Sequence, residues 1–268
     1  DLLLKKIQRS TRSILLKPPW QKTKRKYRMG LRPIEKDAWI TTTLPPEITN
    51  HKTTLLENQY EEVVAVTDES IRAQKILAKV LEIKVNTTYP DLIAIASANV
   101  VEDLLIIDTG NQNRLIAASV CSPSYWDVRE KLGLPLWDIH QAVDGLNNYL
   151  GESINTFIKN LDFMKPFGRE NWFIHGDDKR FHHHVEQQLD TEPENWFIRS
   201  ERETLCRIEE DYVVFTINPR FTKLTEIFKF PEALQSLKQS LEGFSEDEIA
   251  YFGGKNKHET LSLFLENG

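Results

Sequence analysis

One histidine and one densely charged stretch are the residues of this chain whose types and spacing could do chemistry. His140 stands in LWDIHQAVDGLN, behind Leu136, Trp137 and Ile139 and ahead of Val143, and of the seven histidines it is the best placed to face an interior. A buried imidazole needs partners for its ring nitrogens; a metal or haem iron is one such partner, a backbone carbonyl the other. The charged stretch WFIRSERETLCRI holds Arg199, Glu201, Arg202, Glu203 and Arg207 between Trp196-Phe197 and the apolar run Tyr212–Phe215. Side chains alternate on a strand, so Arg199, Glu201 and Glu203 share one face while Ser200, Arg202 and Thr204 share the other. Whichever face points inward, an arginine comes with it; an exposed, salt-bridged edge strand is the alternative. RENW adds Asn171, which could bond a ligand or cap a turn, and Trp172, which fits a core or a pocket wall. His182, His183 and His184 are adjacent and cannot converge on one ion from a strand or a helix, which points to a solvated loop.

The elements that must position these groups follow from periodicity. The apolar set Ile71, Ile76, Leu77, Val80 and Leu81 has helical spacing to about Lys84, and Leu92–Val101 is a second short helix. Thr42–Asn50, rich in Thr and Pro, is irregular. Asp103–Asp108 and Arg114–Val120 are strands joined by Thr109-Gly110-Asn111-Gln112-Asn113, a hairpin signature. Tyr125 to about Leu161 is helical in pieces, with Leu146, Tyr149, Leu150, Ile154, Phe157, Ile158 and Leu161 marking the longest buried helix face. Three strands follow, Asn171–His175, Trp196–Ile208 and Tyr212–Asn218, and Leu224–Leu265 is mostly helical. The expected class is α+β: a PAS-like antiparallel sheet of five strands with helices inserted after the second, and helical extensions at both ends. Residues 1–101 form the N-terminal arm and extension, 102–222 the ligand-binding core and 223–268 a helical tail, all in one compact domain.

Composition narrows the classes. The chain has 268 residues, 40% hydrophobic, with net charge −6, enough for a core that needs no staples. Cys121 and Cys206 are far apart and in no paired spacing, so they read as small buried apolar residues in a reducing, cytoplasmic setting. The longest apolar runs are far too short to cross a bilayer. Positive charge is concentrated from Lys5 to Arg32, but no nucleic-acid motif follows it; a basic arm of this kind could dock an acidic partner.

Four segments, MGLRPIEKDAWI, ASVCSPSYWDVREKLGLPLWDIHQAVDGLN, RENW and IRSERETLCRI followed by FTIN, occur in order from Met29 to Asn218. In this combination the chain resembles the haem-dependent oxidative N-demethylase alpha-subunit-like family. The resemblance implies a PAS-like fold holding haem b, with His140 as axial iron ligand and Trp137, Val143, Leu146 and Trp172 around the cofactor. It implies an oxidoreductase in which dioxygen binds at the haem iron and a small secondary amine is demethylated, with electrons from NADPH through separate flavin and iron–sulfur subunits. Glu201 would then hold the substrate as its ammonium ion, Arg202 or Arg199 would polarise oxygen, and Asn171 would complete the hydrogen-bond set. The family reads close to H-x-P-V-P-G-L after the histidine, where this chain has His140-Gln141-Ala142-Val143-Asp144-Gly145-Leu146, and Ser200 stands in place of a family valine. A gas sensor without turnover, or a haem-free binder of an organic ligand, would use the same pocket.

Overall fold

The computed structural model describes residues 14–20, 29–140, 146–184 and 192–268. Its centre is a single antiparallel sheet of seven strands among the described residues: β1 (Arg32–Pro33), β2 (Val64–Val66), β3 (Asp103–Asp108), β4 (Arg114–Ser119), β5 (Phe167–His175), β6 (Phe197–Glu209) and β7 (Tyr212–Lys223), in the order β1-β5-β6-β7-β3-β4-β2. The class is α+β as expected, but the sheet has seven strands, not five. The two additional strands lie at its edges and are two and three residues long, too short for an alternation to register in the sequence. The helices are α1 (Pro46–Asn58), α2 (Tyr60–Val63), α3 (Ile71–Val80), α4 (Leu92–Ser97), α5 (Val128–Lys131), α6 (Leu136–His140), α7 (Leu146–Lys159), α8 (Pro231–Glu242), α9 (Glu246–Phe252) and α10 (Lys255–Asn267).

Two local differences from the sequence expectation have simple causes. The stretch expected to be irregular up to Asn50 turns helical at Pro46, because proline is preformed for a first helical turn, where its missing N–H costs nothing. The last strand continues through Pro219 to Lys223. It pairs with β3 only as far as Ile217, opposite Asp103, so Pro219 sits where that neighbour has already ended.

Sheet alternation separates two cores. Leu104, Ile106, Cys206 and Val214 point to one side, where Leu55, Leu77 and Ile93 of α1, α3 and α4 close over them. Leu77 is fully buried, a contribution of roughly 2 kcal/mol. Further along the same side, Ile174 and Ile198 pack with Trp20, Leu224, Leu237 and Leu261, which seats α8 and α10 against the far end of the sheet. On the opposite side Leu105, Ile107, Leu205 and Val213 lie under Val128, Leu132, Ile139, Phe157 and Ile158 from the helices inserted between β4 and β5. The register continues this second side from Leu205 to Glu203, Glu201 and Arg199 along β6, with Arg169 and Asn171 beside them on β5. The apolar floor under the inserted helices therefore gives way to a strip of charge.

Candidate functional site

Arg199 is fully buried. Its Nε donates to Glu201 Oε1 at 2.8 Å, Nη2 to the Ser122 carbonyl at 2.6 Å and Nη1 to the Arg180 carbonyl at 3.1 Å, and the guanidinium lies 5.5 Å from the centre of the Phe221 ring. Every nitrogen of the buried guanidinium thus donates at least one hydrogen bond, which offsets the cost of taking it out of water. Burial pushes the Glu201 carboxyl above its ordinary value, and Arg199 pulls it back. Two residues along, Glu203 accepts from Arg169 Nε at 2.5 Å and from Asn171 Nδ2 at 3.4 Å, while Asn171 Oδ1 accepts the Trp172 amide at 2.9 Å. Arg199, Glu201, Glu203 and Asn171 are thus brought together on one surface, as strand alternation required.

Arg202 is not among them. It lies on the other side of β6, donating to the Ala38 carbonyl and, at 3.3 Å, to the Trp39 carbonyl, so it pins the segment before α1 and cannot reach the side that carries Glu201. Of the two arginines, only Arg199 lies on the side of Glu201. Trp172 likewise turns away from Asn171, meeting Trp20 edge-on at 5.3 Å and Phe252 at 6.2 Å in the core under the C-terminal helices.

His140 ends α6. Its imidazole is held below its ordinary value, first by burial and then by the Arg169 charge, with Glu203 opposing. The ring is therefore neutral and within electrostatic reach of the charged strip. Trp137 is 41% exposed and packs over Gly151, where a Cβ would overlap the indole, so only glycine lets α6 and α7 close on that ring. Val143 falls outside the described residues, and Leu146 is placed as the first residue of α7 without its side chain being described. Nothing in the sequence singled out Tyr251, an exposed residue of α9 whose phenol is nevertheless raised, first by burial and then by Glu201 and Glu203.

The three consecutive histidines lie in a loop as expected, but only His184 is exposed there. His182 and His183 side chains are 10% and 8% exposed; His182 Nε2 pairs with Asp177 Oδ1 at 2.9 Å, and its ring lies 5.1 Å from that of His175. Among the described residues no group of three or more histidine, cysteine or acidic side chains is arranged to hold a metal ion. His175 is buried, shares a hydrogen bond with Ser124 Oγ at 3.1 Å through Nε2, and stacks on Tyr125 at 4.7 Å. Its Nδ1 has no hydrogen-bond partner among the described residues. Ser124 and Ser122 belong to one turn, so this cluster borders Arg199 directly.

Among the described residues no helix is long and apolar enough to cross a membrane. A search of curated proteins returned no match. The family model described as haem-dependent oxidative N-demethylase, alpha subunit-like, matches residues 46–262, well over half of the chain and including every described residue of the charged strip. The chain belongs to the haem-dependent oxidative N-demethylase alpha-subunit-like family.

Proposed function

We propose that this chain holds haem b through His140 on a PAS-like scaffold and oxidatively demethylates a small secondary amine bound at Glu201. The observation that carries the reading is a buried carboxylate, Glu201, on the sheet side whose Arg169 and Glu203 also act on the imidazole of His140. The donor set fits the cofactor: a desolvated neutral imidazole offers a ring nitrogen to iron, and Arg169 beside it supplies the cation that a haem propionate would pair with. Helices inserted between the second and third of the five longer strands support the PAS-like description. Haem, when bound, supplies dioxygen activation for hydroxylation of the carbon next to nitrogen, with two electrons from a separate NADPH-dependent reductase.

The protein's own contribution is electrostatic and positional. Glu201 accepts an N–H from the ammonium ion, and Arg199 fixes the carboxylate so that it needs little rearrangement to do so. Glu203, already shared by Arg169 and Asn171, adds negative potential along the same surface. Burial of the strip excludes water, which strengthens these interactions. The carbinolamine formed by hydroxylation separates into amine and aldehyde, and Glu201 retains the amine product as its ammonium ion.

Reconstitution with haem tests the reading. The expected result is a Soret band that is lost in His140→Ala and shifted in the parent protein by dimethylammonium. Glu201→Gln should keep the band and weaken amine binding about thirtyfold, or ~2 kcal/mol. A protein that takes up no haem, or one whose spectrum ignores the loss of His140, would overturn it.

A further inference from the structure

Apart from Glu201, the acceptors of the Arg199 guanidinium are loop carbonyls. Nη2 donates to Ser122 and Nη1 to Arg180, and neither residue belongs to one of the seven strands. A loop carbonyl orients a guanidinium only as well as the loop itself is held. The Arg180 loop is bonded onto the Ser122 turn: Tyr125 N donates to the His182 carbonyl at 2.7 Å and His182 N to the Pro123 carbonyl at 3.1 Å. Both carbonyls that hold Arg199 are therefore tied to one turn, the one that follows β4.

Asp103, the first residue of β3, grips that turn. The side chain is fully buried; Oδ1 accepts the Cys121 amide at 3.0 Å and Oδ2 the Ser122 amide at 2.8 Å. On the other edge of the same Cys121–Ser122 peptide, His51 Nε2 donates to the Cys121 carbonyl at 2.6 Å. The next peptide ends in Pro123 and has no N–H, so that unit offers Arg199 an acceptor and nothing else. Behind Asp103 stands Lys52 of α1, also buried, with Nζ 3.9 Å from Oδ1 and donating to the Ser97 and Glu102 carbonyls at 3.0 and 2.6 Å. Replacing such a pair by apolar residues is often neutral for stability. What the pair supplies is a carboxylate of fixed direction between the sheet and the turn. One series of hydrogen bonds then runs from Asp103 through the Ser122 turn and Arg199 to Glu201.

Resting on the amine-oxidation reading above, we propose that Asp103 is a positioning residue for Glu201: it fixes the turn that holds Arg199, and Arg199 presents the Glu201 carboxylate to the ammonium ion. Asp103 acts through Arg199 and makes no contact with the amine. Loosening the turn frees the guanidinium, so the carboxylate has to be ordered again when the amine binds, and that ordering is subtracted from affinity.

The test is a double-mutant cycle on the dissociation constant of dimethylammonium chloride, measured by calorimetry on the haem-reconstituted full chain. In Asp103→Asn the side-chain nitrogen faces one of the two backbone N–H groups, so only one of them keeps its acceptor. The amine should then bind about fivefold more weakly than to the parent. In the Glu201→Gln background the same change should cost less than about twofold, whereas a general loosening of the fold or a long-range charge effect would cost the same in both backgrounds. The paired change Lys52→Met with Asp103→Leu removes the grip without leaving a buried lysine unpaired, and with Glu201 intact it should weaken binding at least as much. Parent affinity in that paired variant, or an equal loss in both backgrounds of the cycle, would overturn the positioning role and leave the amine reading standing. No binding to the parent protein would overturn both.

Discussion

A buried imidazole that gains no counter-charge has a measurable cost in acid. His175 is surrounded by Arg199, His182 and Lys257, and burial, the largest influence, together with these charges pushes its value down to about 2 from an ordinary 6.5. The folded protein therefore refuses a proton that the unfolded chain accepts, so protonation favours unfolding. Stability is complete above pH 6.5 and should fall as pH drops below it, approaching about 1.4 kcal/mol per unit. His51 and His140 are also held low, chiefly by burial, and act in the same direction. Thermal melting between pH 7 and pH 5 should show a steep acid limb that becomes shallower in His175→Gln. An unchanged slope would mean that His175 accepts a proton in the folded state. Glu201 has the opposite sign. Its raised carboxyl must ionise to hold an ammonium ion, so amine affinity should fall as pH drops through that raised value, and a titration of binding against pH checks it.

At the level of elements, one side chain ties the hairpin of β6 and β7 to the longest inserted helix. Arg207 Nε donates to the Leu161 carbonyl at 2.8 Å and Nη2 to the Ile158 carbonyl at 2.6 Å, while Nη1 reaches Thr109 Oγ1 at 3.2 Å and the Glu210 carbonyl. A helix leaves its last carbonyls unpaired and its C-terminus partly negative, and a buried guanidinium corrects both. Arg207→Met keeps most of the packing and removes the donors, so it should lower unfolding free energy by about 3 kcal/mol in urea titrations. A loss below about 1 kcal/mol would show the helix end to be held by its apolar contacts alone. Phe157, Ile158 and Leu161 are those contacts, and they were visible as a repeat at three and four residues. Which carbonyls Arg207 would answer was not visible, because its face is known only once the strand is paired.

For the molecule as a whole, the C-terminal helices complete a core that the sheet cannot close by itself. Ile174 and Ile198 on β5 and β6 are covered by Leu237, Leu241, Leu261 and Leu265, together with Trp20 from the N-terminal side. Trp20 fixes the arrangement with a 3.1 Å hydrogen bond from Nε1 to the Ala233 carbonyl. A chain ending at Phe230 would expose this surface and the edge of β5 that, among the described residues, pairs with β1 only at Phe167 and Gly168, both of which favour association between chains. It should be recovered mainly as aggregate, whereas the full chain runs as a well-folded species on a sizing column. Recovery of a monomeric, cooperatively melting fragment would show that the tail is an independent addition.

The order and type of the longer strands, the helical insert after the second of them, and the shared face of Arg199, Glu201 and Glu203 were legible in the residues alone, since alternation and helical spacing are local properties that the chain carries with it. Local patterns end where pairing begins. The side of the sheet to which Arg202 belongs, the two short edge strands, and the partial burial of His182 and His183 all depend on which strands lie side by side and on what closes over them. Those outcomes are set by long-range packing, and a residue has no sequence-local feature that records its distant neighbours.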